Sequence, residues 1–163
     1  MLKILIALFA SAIITMPITV TATTIEIAHP WSKAVPPTSN VAAAFLSIIN
    51  HSDVDDTLIG ARSPIAGIVE LHTQNHNNGL MQMRQVETIN VAAEQQQQLA
   101  PGGLHVMLFN LTEVPTIDSH FPLTLTFKYA GEITVNVAVK AATYSGSDNG
   151  TTHDVSHGMQ HHH

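Results

Sequence analysis

Cysteine is absent from the 163 residues. That excludes disulfide stapling, thiol catalysis and a blue-copper electron carrier, whose ligand set requires a cysteine sulfur. A soft-metal protein in an oxidising compartment has reason to avoid thiols, whereas thioethers and imidazoles survive there. Charge is also scarce: Lys and Arg number 6, Asp and Glu 12, and the formal net charge is −6. Nucleic acid is excluded as a partner, because phosphate contacts need clustered Lys and Arg. Amphipathic helical periodicity is missing as well. Aromatic residues are few, and the single Trp, Trp31, reads as a core anchor. Plentiful apolar residues with little charge indicate a real core and one domain.

An apolar run long enough to anchor the chain in a membrane is also lacking. Ile4 to Ile14 is apolar except for Ser11, and Thr15 and Pro17 stop the run from extending further. With Met1-Leu2-Lys3 before it and Val20-Thr21-Ala22 after it, this stretch reads as a secretory leader, residues 1–22, cleaved after Ala22. The expected location is the periplasm, with no stable membrane span after cleavage. With no Cys beyond it, lipid anchoring is not expected. Loss of Lys3 with the leader leaves five of the six basic residues against all twelve acidic ones, a formal charge of −7.

From Thr24 onward the chain reads as short strands between Pro- and Gly-rich turns. Thr24 to Ala28 opens as a strand that Pro30 ends or marks as an edge. Val41 to Asn50 is apolar on both faces, as a central strand would be. His51-Ser52-Asp53 begins a turn, and Asp55-Asp56 reads as solvated charge. Thr57 to Arg62, Ala66 to His72, Leu80 to Val86 and Ile89 to Ala93 are further strands. Gln95 to Gln98 is a solvated loop or a strand edge. Phe121 to Ala130 and Glu132 to Lys140 form the clearest hairpin, joined at Gly131. About eight such strands predict an all-β fold, a β-sandwich or Greek-key barrel, over residues 23–143.

The informative segment is Pro101-Gly102-Gly103-Leu104-His105-Val106-Met107-Leu108. At a strand's period of two, Leu104, Val106 and Leu108 face the core, and His105 and Met107 share the outer face. His72 and Met83 supply a second such pair. The turn formers Asn75 to Gly79 fold these two strands together. A turn centred on Asn77-Asn78 sets His72 opposite Met83, and one centred on Asn78-Gly79 makes them diagonal neighbours; either keeps them on one face. Replacement of Met83 or Met107 by Ala is therefore expected to leave stability nearly intact.

Two imidazoles and two thioethers without cysteine fit copper(I), a soft closed-shell ion, with silver(I) as its look-alike. Zinc prefers Cys, His and carboxylate, and calcium or magnesium prefers oxygen. A lone Met is usually core filler. Here, however, every methionine between the leader and the tail (Met81, Met83 and Met107) falls in or beside the candidate pairs. Met81 reads as a hydrophobic rim, and His76 as a solvated turn residue. His29, His51 and His120 carry no functional reading. No paired carboxylates or nucleophile constellation accompany the motif, so the chain is not expected to be an enzyme.

The pattern His72-x10-Met83-x21-His105-x-Met107 resembles that of the PCuAC periplasmic copper chaperones. Pro30-Trp31, VELH at 69–72, MQMR at 81–84, PGGLHVML at 101–108 and PLTLTF at 122–127 are similar too, so the resemblance covers residues 24–140. It implies a cupredoxin-like β-sandwich with copper(I) on those four side chains. It further implies delivery of copper to the CuA-containing subunit of cytochrome c oxidase, or to another copper-assembly protein. A copper buffer without a dedicated client, or a copper redox enzyme, are the competing classes. Residues 144–163 read as a disordered tail with His153, His157, Met159 and His161 to His163. An appended affinity tag would be a longer unbroken His run. The tail therefore reads as native and suited to copper(II).

Overall fold

The computed structural model describes residues 24–77 and 80–146. The expectations for the leader, for the tail beyond Gly146 and for the side chains of His76 and Met81 lie outside the described residues. The fold is all-β, with ten strands and no helix among the described residues. In chain order these are β1 (Ile25–Lys33), β2 (Val41–Asn50), β3 (Asp56–Arg62), β4 (Ala66–Asn77), β5 (Leu80–Gln85), β6 (Ile89–Val91), β7 (Gln96–Leu99), β8 (Leu104–Leu111), β9 (His120–Phe127) and β10 (Gly131–Lys140). Hydrogen bonding connects them in the order β5-β4-β8-β2-β1-β10-β9-β3-β6, with β7 also on β2. This is the cupredoxin-like β architecture that the sequence resemblance implies.

The strand β2 organises the layers. Its first residues, Val41 to Ala44, pair with β8, and Leu46 to Ile49 pair with β7. On its other side lies β1. Such a strand has no solvent-facing edge, which is why VAAAFLSIIN is apolar at nearly every position. The sheet path turns over so that β3 packs near β4 and β6 near β7. Between the layers lies one core containing Leu46, Ile48, Leu58, Val106, Leu108 and Leu123.

Three expectations change. Pro30 neither ends β1 nor stops its pairing. The strand runs on to Lys33 and takes β10 as a parallel partner from Trp31 onward. A register shift between Ala28 and Trp31, with His29 at φ 50°, forms a bulge that absorbs the residue lacking an N–H. The bulge turns Trp31 inward against Phe45, with ring centroids 4.6 Å apart, and against Tyr144 at 4.8 Å, edge-on. Tyr144, expected at the start of the tail, thus belongs to a packed aromatic group. Asp56 is not solvated charge either. It is buried and accepts hydrogen bonds from the backbone N–H groups of Thr57, Tyr129 and Ala130 at 2.7, 3.0 and 2.9 Å. It thereby holds the three-residue turn between β9 and β10, where Gly131 adopts φ 77°.

Candidate metal centre

Register assembles the candidate residues. Antiparallel pairing of β4 with β8 sets His72 opposite His105 and Glu70 opposite Met107. Pairing of β4 with β5 sets Gln74 opposite Met83 and His72 opposite Gln85. Met83 is therefore the diagonal neighbour of His72 on the same face, one of the two arrangements expected from the sequence. The His72 and His105 rings lie 6.0 Å apart between centroids. Met83, His105 and Met107 line one cavity of about 350 Å³, together with Val41, Ala43 and Phe45. His72 adjoins it through His105 and packs on Phe109 at 5.8 Å.

The turn before β8 explains how His105 is oriented. Gly103 N–H donates to Ala100 O at 3.1 Å, and Gly102 has φ 84°, a type II turn with Pro at its second position. Gly103 O is left directed at the His105 ring and accepts from Nδ1–H at 2.9 Å. A carbonyl can only accept, so the proton is on Nδ1 and the lone pair is on Nε2. The second histidine is held in the mirror sense. Its Nε2–H donates to Glu70 Oε2 at 2.8 Å, which leaves the lone pair on Nδ1. Both free nitrogens, His72 Nδ1 and His105 Nε2, are buried and have no hydrogen-bond partner. Buried polar atoms are rarely left in this state, and a metal ion satisfies such a nitrogen. Burial holds the His105 pKa below its ordinary value, outweighing the hydrogen bond to Gly103 that raises it; nearby His72 lowers it further. Its ring stays neutral, as a ligand must be.

The outer face of β8 is not exposed as expected. His105 is 3% exposed and Met107 9%, and side chains of neighbouring segments, Phe45 and Pro101 among them, line the same cavity. Met83 remains 51% exposed at the mouth. The expectation of equal, small stability effects therefore splits. Met107→Ala is expected to cost about 2 kcal/mol, the low end for a buried methionine since a cavity is already adjacent. Met83→Ala is expected to cost less than about 0.5 kcal/mol. Thermal denaturation of the two metal-free variants checks this.

Among the described residues no three His, Asp or Glu side chains converge. The thioether sulfurs of Met83 and Met107 lie along the same cavity as His105, and imidazole with thioether is a donor set suited to a soft monovalent ion. Glu70 and Gly103, which orient the rings, carried no role in the sequence reading. Their signal was available: each stands two residues before its histidine, Glu70 on the same strand face and Gly103 in the turn that leads into β8.

An all-β cupredoxin-like domain with paired His and Met on adjoining strands defines a protein of the PCuAC type. The fold is similar to the copper-bound PCuAC domain from PmoF2, at TM-score 0.62 and 29% identity over 72% of this chain and 93% of that one. It is also similar to CuI-DR1885 from Deinococcus radiodurans, at TM-score 0.58 and 28% identity over 76% of this chain and 80% of that one. Among named relatives, "Putative lipoprotein Lxx21020" of Leifsonia xyli subsp. xyli (strain CTCB07) is 28% identical over 125 residues, 76% of this chain and 73% of its own. The family described as LpqE-like matches residues 25–139, and the chain belongs to it.

Proposed function

We propose that this protein is an exported metallochaperone that carries copper(I) on His72, Met83, His105 and Met107. The observation that carries this reading is the pair of buried, unpartnered ring nitrogens beside two thioethers. The copper-bound state of the PCuAC domain from PmoF2 and the CuI state of DR1885 support it. Such a site suits a carrier, because neutral thioethers bind without releasing a proton and can be displaced one at a time. Met83, half exposed at the mouth, is the ligand an acceptor meets first. The client is the CuA-containing subunit of cytochrome c oxidase, on the strength of the motif resemblance, and transfer takes place in the periplasm. The tail from His153 onward captures copper(II), and the domain holds the reduced ion.

Mixing the copper(I)-loaded protein with an apo CuA domain tests the reading. The expected outcome is transfer of the ion, with X-ray absorption of the donor reporting both sulfur and nitrogen neighbours before transfer. Retention of copper by this protein would make it a buffer, and oxygen consumption by the loaded protein would make it a redox enzyme. A sulfur-free first shell would remove the site as proposed. Deletion of residues 148–163 is expected to lower copper(II) stoichiometry and leave copper(I) binding unchanged.

A further inference from the structure

The four candidate donors are all neutral, yet their cargo is a cation, and the site lies largely out of water. His105 and Met107 are buried. Moving an uncompensated charge into such surroundings is costly unless an opposite charge stands close by. Among the described residues, Lys33 and Glu70 are charged side chains that adjoin the group. Lys33 of β1 lines the cavity and has the wrong sign. Glu70 has the right sign, and three features tie it to the site. It is hydrogen-bonded to the His72 ring at 2.8 Å. It is the cross-strand partner of Met107. Its side chain is only 28% exposed, and that of His72 12%, so solvent screens the pair weakly.

We infer that Glu70 is a positioning residue and the built-in counter-charge of the metal centre. It fixes His72 as the Nε2–H tautomer, so that Nδ1 is the nitrogen presented to the ion, and it balances the charge of a monovalent cargo. As a hard oxygen donor whose Oε2 is held by the His72 N–H, it is a poor direct ligand for copper(I). The arrangement also makes His72 a better donor, because a carboxylate on the far nitrogen raises the basicity of the near one. This inference rests on the copper(I) reading but concerns a residue outside the proposed ligand set.

Two substitutions separate the two roles. Glu70→Gln keeps an oxygen acceptor for the His72 N–H and removes only the charge. Glu70→Ala removes both. In a competition titration with a copper(I) chelator, Glu70→Gln is expected to bind about tenfold more weakly than the unsubstituted protein, and Glu70→Ala up to about a hundredfold more weakly. The tautomer is read without metal, from the imidazole ¹⁵N chemical shifts of the full chain. His72 is expected as Nε2–H in the unsubstituted protein and in Glu70→Gln, with the Nδ1–H form entering in Glu70→Ala. Copper(I) affinities within twofold of one another, with an unchanged His72 tautomer in Glu70→Ala, would overturn the assignment. Failure of the unsubstituted protein to bind copper(I) would instead sink the metallochaperone reading itself, and the metal-free spectra would still report whether Glu70 sets the tautomer.

Discussion

Replacing His105 by leucine is expected to lower copper(I) affinity by at least about a hundredfold, beyond what loss of a supporting partner alone typically costs. The metal-free protein should at the same time become as stable as the parent, or several degrees more so. The reason is the state of the ring. His105 Nε2 is buried without a partner, and an unsatisfied buried polar group costs about 1–3 kcal/mol. Leucine has a similar volume and carries no such atom. The acceptor that His105 leaves behind is not stranded, because Gly103 O also accepts from Gln74 N–H at 3.0 Å. Chelator competition and thermal denaturation of the apo-protein check the two halves separately. A pH signature goes with them. The ordinary imidazole value of 6.5 is lowered in the fold. The neutral ring's contribution to stability is therefore fully present above about pH 6.5 and is lost as pH falls towards the lower folded-state value. His105→Leu should lack that part of the pH dependence. A stability loss as large as that of a core cavity would mean that His105 serves packing instead.

Such a trade between stability and binding also bears on what could be read from the sequence. Alternation along β8 separates Val106 and Leu108 from His105 and Met107 correctly, and hairpin geometry brings Met83 to the face of His72 for either turn position. Period-two patterning is local, and so it carries that far. What surrounds the second face of β8 is decided by segments far away in the chain, those of Val35, Phe45 and Met83 among them, and no local pattern reports it. A hint existed in composition: Leu104 to Phe109 contains no charged residue, the same property that marks β2 as buried on both sides. Pro30 misleads for a related reason. Its missing N–H argues against a continuing strand only while the ladder is regular, and a bulge removes that condition. The Nδ1 and Nε2 assignments depend on side-chain directions that spacing does not encode.

Asp56 is the second large effect, and it concerns the fold rather than the site. Asp56→Ala is expected to lower stability by about 3 kcal/mol, since hydrogen bonds to a charged acceptor contribute about 1.5–3 kcal/mol each and do not add fully. The melting temperature should fall by roughly 10 °C. Three backbone N–H groups lose their acceptor together, those of Thr57, Tyr129 and Ala130. The latter two lie in the turn that joins β9 to β10, so the first residue of β3 is what fixes that hairpin against its neighbour. Asp56→Asn sharpens the argument. Oδ1 can still serve Thr57 and Tyr129, but an amide N–H₂ in place of Oδ2 would face the Ala130 N–H, donor against donor. About half of the alanine loss is expected. A neutral Asn variant would mean that the Ala130 bond contributes nothing. Asp56, Thr57, Tyr129 and Ala130 are not among the residues that line the cavity of Met83, His105 and Met107. The copper(I) stoichiometry of whatever fraction remains folded should therefore be unchanged, which separates loss of the scaffold from loss of the metal centre in one titration.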